Sequence, residues 1–449
     1  MPAERTPPGP ARSKNPYRWL FPRHGDRLAA LTALARRYGD VVRIPHGPVW
    51  IYLVTEPELV REVLVDRADD HTVGRKLRAT RHFLGDGLLG STGELHRRQR
   101  RIVQPAFHRE AVAGYVDAIA GRTDQALRSW RSEAVVDVRD EATRIARDVM
   151  ATIAWGASAP TNGQRPAGDG VSLAPMIDFL ELTTTPGGRL STHLPTPTVR
   201  RSRVAAEPSR AAVAEVIGRR RASGGGGTDL LGMLLAARDE EGQPLSDALV
   251  RDELRTLFLA GQESVANTLA WTLWLVSEDP TTASRLRAEA DTAFGEGIPD
   301  ASALANLAWA RQTVQEAMRL YPPAWAVGRT AVRDTRAGSF RIPAGANVLV
   351  SPWVTHRDPR LWREPLRFDP TRFAPEGDRP GHPFAYYPFG GGARACVGSG
   401  LAMAEATIVL SMIAQRFDLS WHGPPPRPKP QITLRPESGA PMVVRARLP

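Results

Sequence analysis

The sequence has very little cysteine and lysine and no long apolar run. Cys396 is the only cysteine in 449 residues, which excludes an intramolecular disulfide framework. No apolar run approaches the roughly 18 residues that span a bilayer, and the opening MPAERTPPGPARSKNP lacks the apolar core of a signal peptide. These absences predict a cytoplasmic protein without a membrane span.

Lysine occurs only at positions 14, 76 and 429, so the net charge of +11 comes almost entirely from arginine. Such basicity would suit a nucleic-acid-binding protein, but the arginines are spread along the chain and mixed with Asp and Glu. The dense cluster is Arg97, Arg98, Arg100 and Arg101. We therefore expect no nucleic acid as a partner, because one such cluster fits an acidic protein partner better.

A hydrophobic content of 42% is typical of a globular chain with a large core. Residues 1–25 are rich in proline and basic residues, which predicts an extended lead-in before a single domain at 26–449. Apolar spacing predicts helices at 26–38, 56–65, 94–103, 246–278, 306–320 and 401–416, two more within 111–156 and two within 171–221. Strands are expected near 41–44, 49–54, 339–342 and 346–350. The pattern indicates a mainly α protein with a small β region.

The lone cysteine lies in the ten residues FGGGARACVG, which run from Phe389 to Gly398. Their glycines allow the backbone to approach a flat ligand closely, and Arg394 suits a carboxylate or phosphate. A helical pattern follows at once, and a helix N-terminus favours the thiolate, the form that binds iron. A lone cysteine is more often a small buried hydrophobe, and these features alone leave that interpretation open.

The fixed offsets of Phe389, Gly390, Gly392, Arg394, Cys396 and Gly398 resemble the heme-binding loop of the cytochrome P450 family. The resemblance implies that fold, with a long central helix over the heme and the cysteine loop beneath it. It also implies heme b (iron protoporphyrin IX) with Cys396 as the axial thiolate. Phe389 and Gly390 would then contact the cofactor.

His96 and Arg100 are four residues apart and share one face of a predicted helix. This spacing alone is more typical of a solvated basic face. The resemblance instead assigns both residues to the heme propionates, together with Arg329 and Arg394. The remaining arginines of the cluster would face outward, toward an acidic ferredoxin-type partner.

The longest helical pattern contains Ala260-Gly261-Gln262-Glu263-Ser264. A glycine inside a helix costs about 1 kcal/mol relative to alanine, so Gly261 needs an explanation. The polar residues Gln262 and Glu263 beside it would also fit a solvent-exposed stripe of the helix. The family pattern is Ala/Gly-Gly-x-Asp/Glu-Thr, which implies that Ala260 and Gly261 approach the heme. Glu263 and Ser264 would be the catalytic pair that orders water and delivers protons. Serine replaces the usual threonine and lacks the methyl group that restricts χ1, so we expect more uncoupled peroxide release.

Two further segments match the family's structural network: Glu316 and Arg319 on one helix, and Phe368-Asp369-Pro370-Thr371-Arg372-Phe373 after it. In the family these contribute a buried Glu–Arg–Arg cluster. An exposed Glu–Arg pair is common on helices and contributes little to stability. Because the resemblance assigns these residues to a buried structural network, we take them as structural rather than catalytic.

The resemblance implies a monooxygenase that inserts one oxygen atom from O2 into a C–H bond of a lipophilic small molecule, in secondary metabolism. Electrons would come from a ferredoxin and an NAD(P)H-dependent reductase. A terpenoid substrate is favoured, and the expected pocket residues are all apolar: Phe83, Leu84, Leu88, Phe179, Leu257, Phe258, Trp325, Ala326 and Val327. Oxidative coupling or desaturation at the same site is the main alternative, and a heme sensor without turnover is a further one.

Overall fold

The computed structural model describes residues 5–13, 19, 26–79, 81–156, 197–238 and 242–447. The expected pocket residue Phe179 lies outside these residues. So does most of the region 171–221, for which the sequence predicts two helices.

The described chain is mainly helical, as the sequence predicts. Its helices, in chain order, are α1 (Arg27–Tyr38), α2 (Pro57–Arg61), α3 (Arg75–Ala79), α4 (Arg81–Leu84), α5 (Gly93–Val103), α6 (Arg109–Gly114), α7 (Val116–Leu127), α8 (Val138–Trp155), α9 (Pro197–Ala222), α10 (Leu230–Ala236), α11 (Asp247–Ser277), α12 (Pro280–Phe294), α13 (Ala301–Ala305), α14 (Ala308–Leu320), α15 (Pro352–Thr355) and α16 (Ser399–Arg416).

The β region is small and forms several separate sheets. Its strands are β1 (Val41–His46), β2 (Val49–Val54), β3 (His71–Val73), β4 (Val135–Asp137), β5 (Val327–Ala331), β6 (Thr335–Ala337), β7 (Phe340–Ile342), β8 (Asn347–Val350), β9 (Phe417–Trp421), β10 (Pro428–Pro430), β11 (Leu434–Pro436) and β12 (Pro441–Ala446). The largest sheet has the order β1-β2-β8-β5-β3, and β4-β12-β9 form a second. β2 and β8 pair in parallel, whereas the other pairs are antiparallel.

α11 runs through the core and carries the predicted catalytic pair. Ser246 caps it, because its Oγ accepts the N–H of Leu249 at 3.3 Å. The helix ends at Ser277, shortly before Pro280, as the sequence predicts. Most of its side chains from 252 to 276 are buried, since α8, α9, α14 and α16 pack around it.

The buried Glu–Arg–Arg network is present. Arg319 Nε donates to Glu316 Oε2 at 2.7 Å and its NH2 donates to Oε1 at 2.7 Å. Arg372 Nε lies 3.4 Å from the same carboxylate. The backbone N–H of Asp369 also donates to Glu316, at 3.0 Å. The network therefore ties α14 to the segment that leads toward the cysteine loop.

Two predicted elements are divided in the structure. The helix expected at 56–65 becomes α2 followed by a π-helix at Glu62–Asp66. The region 111–156 contains parts of three helices and the strand β4 instead of two helices. A π-turn holds an additional residue that side-chain periodicity does not signal, so the sequence pattern could not locate it.

Residues 5–13 of the lead-in pack against the sheet. The N–H of Arg43 in β1 donates to Pro8 O at 2.9 Å. A Cβ at Gly9 would lie 2.0 Å from Arg43 O, so this close approach needs a glycine. None of the described helices has the length and apolar character needed to cross a bilayer.

Candidate functional site

The cysteine loop folds tightly between Phe389 and α16. The N–H of Cys396 donates to Phe389 O at 2.9 Å, and the N–H of Ala395 donates to Gly392 O at 3.0 Å. Gly392 has φ +67°, and a Cβ there would lie 2.1 Å from Leu64 O in the π-helix. Both the backbone conformation and the close contact exclude a side chain at this position. The loop is thus held against a second element of the fold.

The Cys396 side chain is exposed, yet burial raises the pKa of its thiol. Both hold together for a side chain that faces an enclosed opening instead of the outer surface. The backbone N–H of Gly398 and the charge of Arg100 act in the opposite direction and favour the thiolate. A positively charged iron would favour that form further.

The two faces of α5 have different surroundings. His96 is buried, whereas Arg97 and Arg101 are exposed. Arg100 NH1 donates to Ala395 O at 2.7 Å, next to the cysteine. The helix therefore presents His96 and Arg100 toward the cysteine loop and Arg97 and Arg101 to solvent, while Arg98 is half-buried with its Nε enclosed.

The structure brings together the four residues expected at the heme propionates. Burial lowers the pKa of Arg329 to about 10. Burial, then Arg329 and Arg100, lower the pKa of Arg394 to about 10. Burial and the charges of Arg394, Arg100, Arg329 and Arg97 lower the pKa of His96 to about 4.

None of the charges that shift the pKa values of His96, Arg329 and Arg394 is a carboxylate. Arg394 and Arg329 donate instead to the backbone oxygens of Ser91, at 2.5 Å, and Gly328, at 3.1 Å. A buried group of like charges is costly without counter-ions. These residues therefore fit a ligand that brings two carboxylates, as heme does.

The middle of α11 has an accessible face within a largely buried stretch. Ala260 is exposed and Ser264 is half-buried, while Leu257, Phe258 and Leu259 are buried. Residues 260 and 264 are one turn apart on the same face. Ser264 Oγ donates to Ala260 O at 3.2 Å. This face can admit a ligand beside the helix.

Packing against α8 favours a glycine at position 261, which the sequence did not indicate. A Cβ at this position would lie 2.7 Å from Met150 Sδ on α8. A side chain at this position would therefore require the Met150 thioether to shift. Its predicted contact with the cofactor stays a prediction.

Glu263 and Ser264 are neighbours in sequence, but the structure does not bring their side chains together. Glu263 Oε1 accepts the Thr433 hydroxyl at 2.9 Å and lies 3.8 Å from Arg139 NH2. Asn267 completes the cluster: its Oδ1 accepts from Arg139 Nε at 2.8 Å and its Nδ2 donates to Thr433 at 3.0 Å. Sequence reasoning missed these partners, because no spacing pattern links residues so far apart in the chain.

The described residues among those expected at the pocket divide into two groups. The first group is buried in the core and contains Phe83, Leu84, Leu88, Leu257 and Phe258. Trp325 to Val327 are half-buried and remain suitable for a pocket wall. Trp325 Nε1 donates to Gln431 O at 3.0 Å, which brings a segment that the sequence did not single out next to this wall.

Comparisons with known proteins agree with this architecture. The family model described as Cytochrome P450 matches residues 7–442. The chain is 34% identical over 91% of its length to cyclooctatin synthase of Streptomyces melanosporofaciens, covering 88% of that protein. It is 35% identical over 91% of its length to cyclooctat-9-en-7-ol 5-monooxygenase of the same organism, covering 86%.

Pentalenene oxygenase of Streptomyces avermitilis is 32% identical over 85% of this chain and 84% of its own length. Among solved structures, the cytochrome P450DA heme domain aligns with a TM-score of 0.86 and 28% identity. That alignment covers 99% of this chain and 98% of the other.

Proposed function

This chain belongs to the cytochrome P450 family and is a monooxygenase, and we propose that it hydroxylates a terpenoid with heme b ligated by Cys396. The observation that carries the proposal is the Cys396 thiol at an enclosed opening, with buried cations beside it. Val397, next to the cysteine, and Leu257 of α11 pack against the same apolar cluster. This shared packing supports a single cavity between the loop and α11.

The cations of the site hold the cofactor in this proposal. Arg100, Arg329 and Arg394 carry three positive charges opposite two propionates. With a pKa of about 4, His96 is neutral at pH 7 and contributes a hydrogen bond instead of a charge. When bound, a heme with a thiolate ligand supplies the activation of dioxygen.

Proton delivery is assigned to the far side of the cavity. The Ser264 hydroxyl is one turn from the exposed Ala260 and can exchange its bond to Ala260 O for one to water. Glu263 would supply the proton after its carboxylate breaks its contacts with Thr433 and Arg139. Both roles are part of the proposal.

Three relatives support a terpenoid substrate, since their names refer to cyclooctatin, cyclooctat-9-en-7-ol and pentalenene. The half-buried wall from Trp325 to Val327 is apolar, as such a substrate requires. We further propose one domain at 26–449, and a ferredoxin with an NAD(P)H-dependent reductase as the electron source. The cytoplasmic location stays a prediction.

The test uses purified holoprotein. The reduced CO complex should show the red-shifted band of a thiolate ligand, and Cys396→Ala should lose it; a wild-type spectrum in that variant would overturn the assignment. Spin-state titrations against terpene, fatty-acid and macrolide panels identify the substrate class. Product mass separates the alternatives, because hydroxylation adds one oxygen while desaturation or coupling removes two hydrogens. Binding without turnover would indicate a sensor.

A further inference from the structure

Residues 85–91 connect α4 to α5, and we call them the clasped loop. They lie between α11 and the cysteine loop. On one side, the Ser91 carbonyl accepts from Arg394, the arginine two residues before the cysteine. On the other side, buried carboxylates of α11 bind the backbone of the loop.

Two adjacent residues at the N-terminal end of α11 make these bonds. Asp252 Oδ2 accepts the N–H of Asp86 at 3.1 Å, and Glu253 Oε2 accepts the N–H of Leu88 at 3.0 Å. Asp252 and Glu253 are only 8% and 1% exposed. Buried carboxylates are rare because desolvation is costly. We therefore expect a structural or functional role for Asp252 and Glu253.

The glycines of the loop show how closely it lies on α11. Gly85 has φ +70°, and a Cβ there would lie 1.9 Å from Asp252 Oδ2. A Cβ at Gly87 would lie 2.1 Å from Thr256 Oγ1 and 2.6 Å from the Asp252 carbonyl. Only glycine fits between the loop and the helix at these two positions.

A third element holds the same loop from the side of α5. Gln99, which is 1% exposed, donates from Nε2 to the Asp86 carbonyl. Both the backbone N–H and the backbone carbonyl of Asp86 are thus bound by buried side chains. The loop is a fixed wall and not a surface turn.

The side chains of the loop differ in exposure. Leu88 and Gly90 are buried, whereas Leu89 between them is half-buried. Leu89 packs against the same core cluster as Phe389, at the start of the cysteine loop. Of the two leucines of the loop, Leu89 is therefore the one that keeps accessible surface beside this cluster.

Glu253 acts as a hydrogen-bond acceptor and does not form an ion pair within the described part of the chain. Burial and Asp252 raise its pKa to about 8, while the Leu88 N–H acts against this. No cation is among the groups that shift it. Asp252, in contrast, pairs with Arg251 at 3.2 Å.

We propose that Asp252 and Glu253 are positioning residues for the substrate: they hold the clasped loop so that Leu89 forms a rigid part of the pocket wall. The proposal rests on the proposed function, because it assumes a substrate bound in the cavity between the cysteine loop and α11, beside the clasped loop. Loss of either carboxylate acceptor loosens the wall and leaves Cys396 itself unchanged. Selectivity for large ligands then falls, while access to the cofactor remains.

The test compares four holoprotein variants with wild type. Glu253→Leu and Asp252→Ala each remove one acceptor, and Glu253→Gln keeps an acceptor oxygen of the same shape. Thr272→Val is the matched control, since it removes a buried α11 hydroxyl that bonds only its own helix, at Thr268 O. Hydrogen exchange of the peptide covering the loop reports its opening. Optical titrations with 4-phenylimidazole and imidazole compare a large and a small cofactor ligand.

We expect loop exchange about ten-fold faster or more in Glu253→Leu and Asp252→Ala. The ratio of 4-phenylimidazole to imidazole affinity should change by about ten-fold in the same variants. Glu253→Gln and Thr272→Val should stay within about two-fold of wild type on both measures.

Unchanged exchange, or faster exchange with an unchanged affinity ratio, would overturn the proposal. If Glu253→Leu does not fold, Asp252→Ala decides the question. Failure of the proposed function can be distinguished from failure of this proposal. In the first case the wild-type protein itself would show no optical change with either imidazole, while hydrogen exchange would still report whether Asp252 and Glu253 hold the clasped loop.

Discussion

At the scale of single residues, burial decides the charge state of several carboxyls away from the site. Glu405 on α16 is 1% exposed, and burial raises its pKa to about 8. Its Oε1 has no hydrogen-bond partner among the described residues. An uncompensated carboxyl of this kind makes stability depend on pH.

Replacing Glu405 by Gln should stabilise the protein at alkaline pH. Because the folded pKa, about 8, exceeds the ordinary 4.5, the folded state binds the proton more tightly. Wild-type stability therefore falls as pH rises from about 4.5 to about 8. Glutamine does not titrate, so its advantage should grow by up to about 4 kcal/mol over this window. Urea unfolding at pH 5 and pH 9 measures it, with the exposed Glu376→Gln as control; a pH-independent difference would contradict the prediction.

Ser264 is the residue at which this chain departs from the family pattern. Ser264→Ala removes the hydroxyl and should lower coupled product formation by about ten-fold or more, since positioned proton transfer contributes at least that much. Ser264→Thr adds the methyl group that restricts χ1 and should reduce peroxide release. Product and peroxide per NAD(P)H measure both effects. Unchanged coupling in Ser264→Ala would show that the hydroxyl has no role.

At the scale of elements, the two faces of α5 have different surroundings. Arg100 points toward the cysteine loop and bonds Ala395 O at 2.7 Å, whereas Arg97 is exposed and pairs with Glu94. The two residues differ by three positions and carry the same charge. Their variants therefore form a matched pair.

Arg100→Leu should release heme about ten-fold faster, because a charge-assisted bond to the cofactor is lost. Arg97→Leu should leave heme release unchanged and should slow reduction by an acidic ferredoxin at low salt. Transfer of heme to apomyoglobin measures the first effect and stopped-flow reduction the second. Equal effects of both variants on heme release would refute the two-face interpretation.

The bounds of an element were predicted well where its apolar periodicity ends at a capping residue or a proline. The helix predicted at 246–278 is α11 at Asp247–Ser277, between the Ser246 cap and Pro280. The π-helix at Glu62–Asp66 was missed, because side-chain periodicity does not signal its additional residue; Leu64 O in this helix lies in close contact with Gly392. That contact joins segments over 300 positions apart.

At the scale of the whole molecule, the Glu316–Arg319–Arg372 network joins distant segments. Arg319 is 0% exposed and also donates to the carbonyls of His356 and Pro365, at 2.8 and 2.7 Å. Burial raises the pKa of Glu316, while Arg319 holds it down. Removing Arg319 leaves a buried carboxyl with fewer partners.

Arg319→Leu should therefore cost about 3–5 kcal/mol of the free energy of unfolding. The control is Arg367→Leu, whose exposed pair with Glu364 at 3.2 Å should cost at most about 1 kcal/mol. Urea unfolding of both variants measures the difference. A loss of similar size in the two variants would argue against the network as a structural centre.

The sequence by itself determined the family and located the cysteine loop, and it singled out His96, Arg100, Arg329 and Arg394, which the structure brings together. It could do so because their chemistry depends on residue type and local spacing. Only the tertiary structure decided where side chains point: Glu263 turns to Thr433 and Arg139, away from Ser264. It also decided that Asp252 and Glu253 bind a loop more than 160 positions away. Directions and distant contacts follow from how elements pack, and local sequence does not encode packing partners.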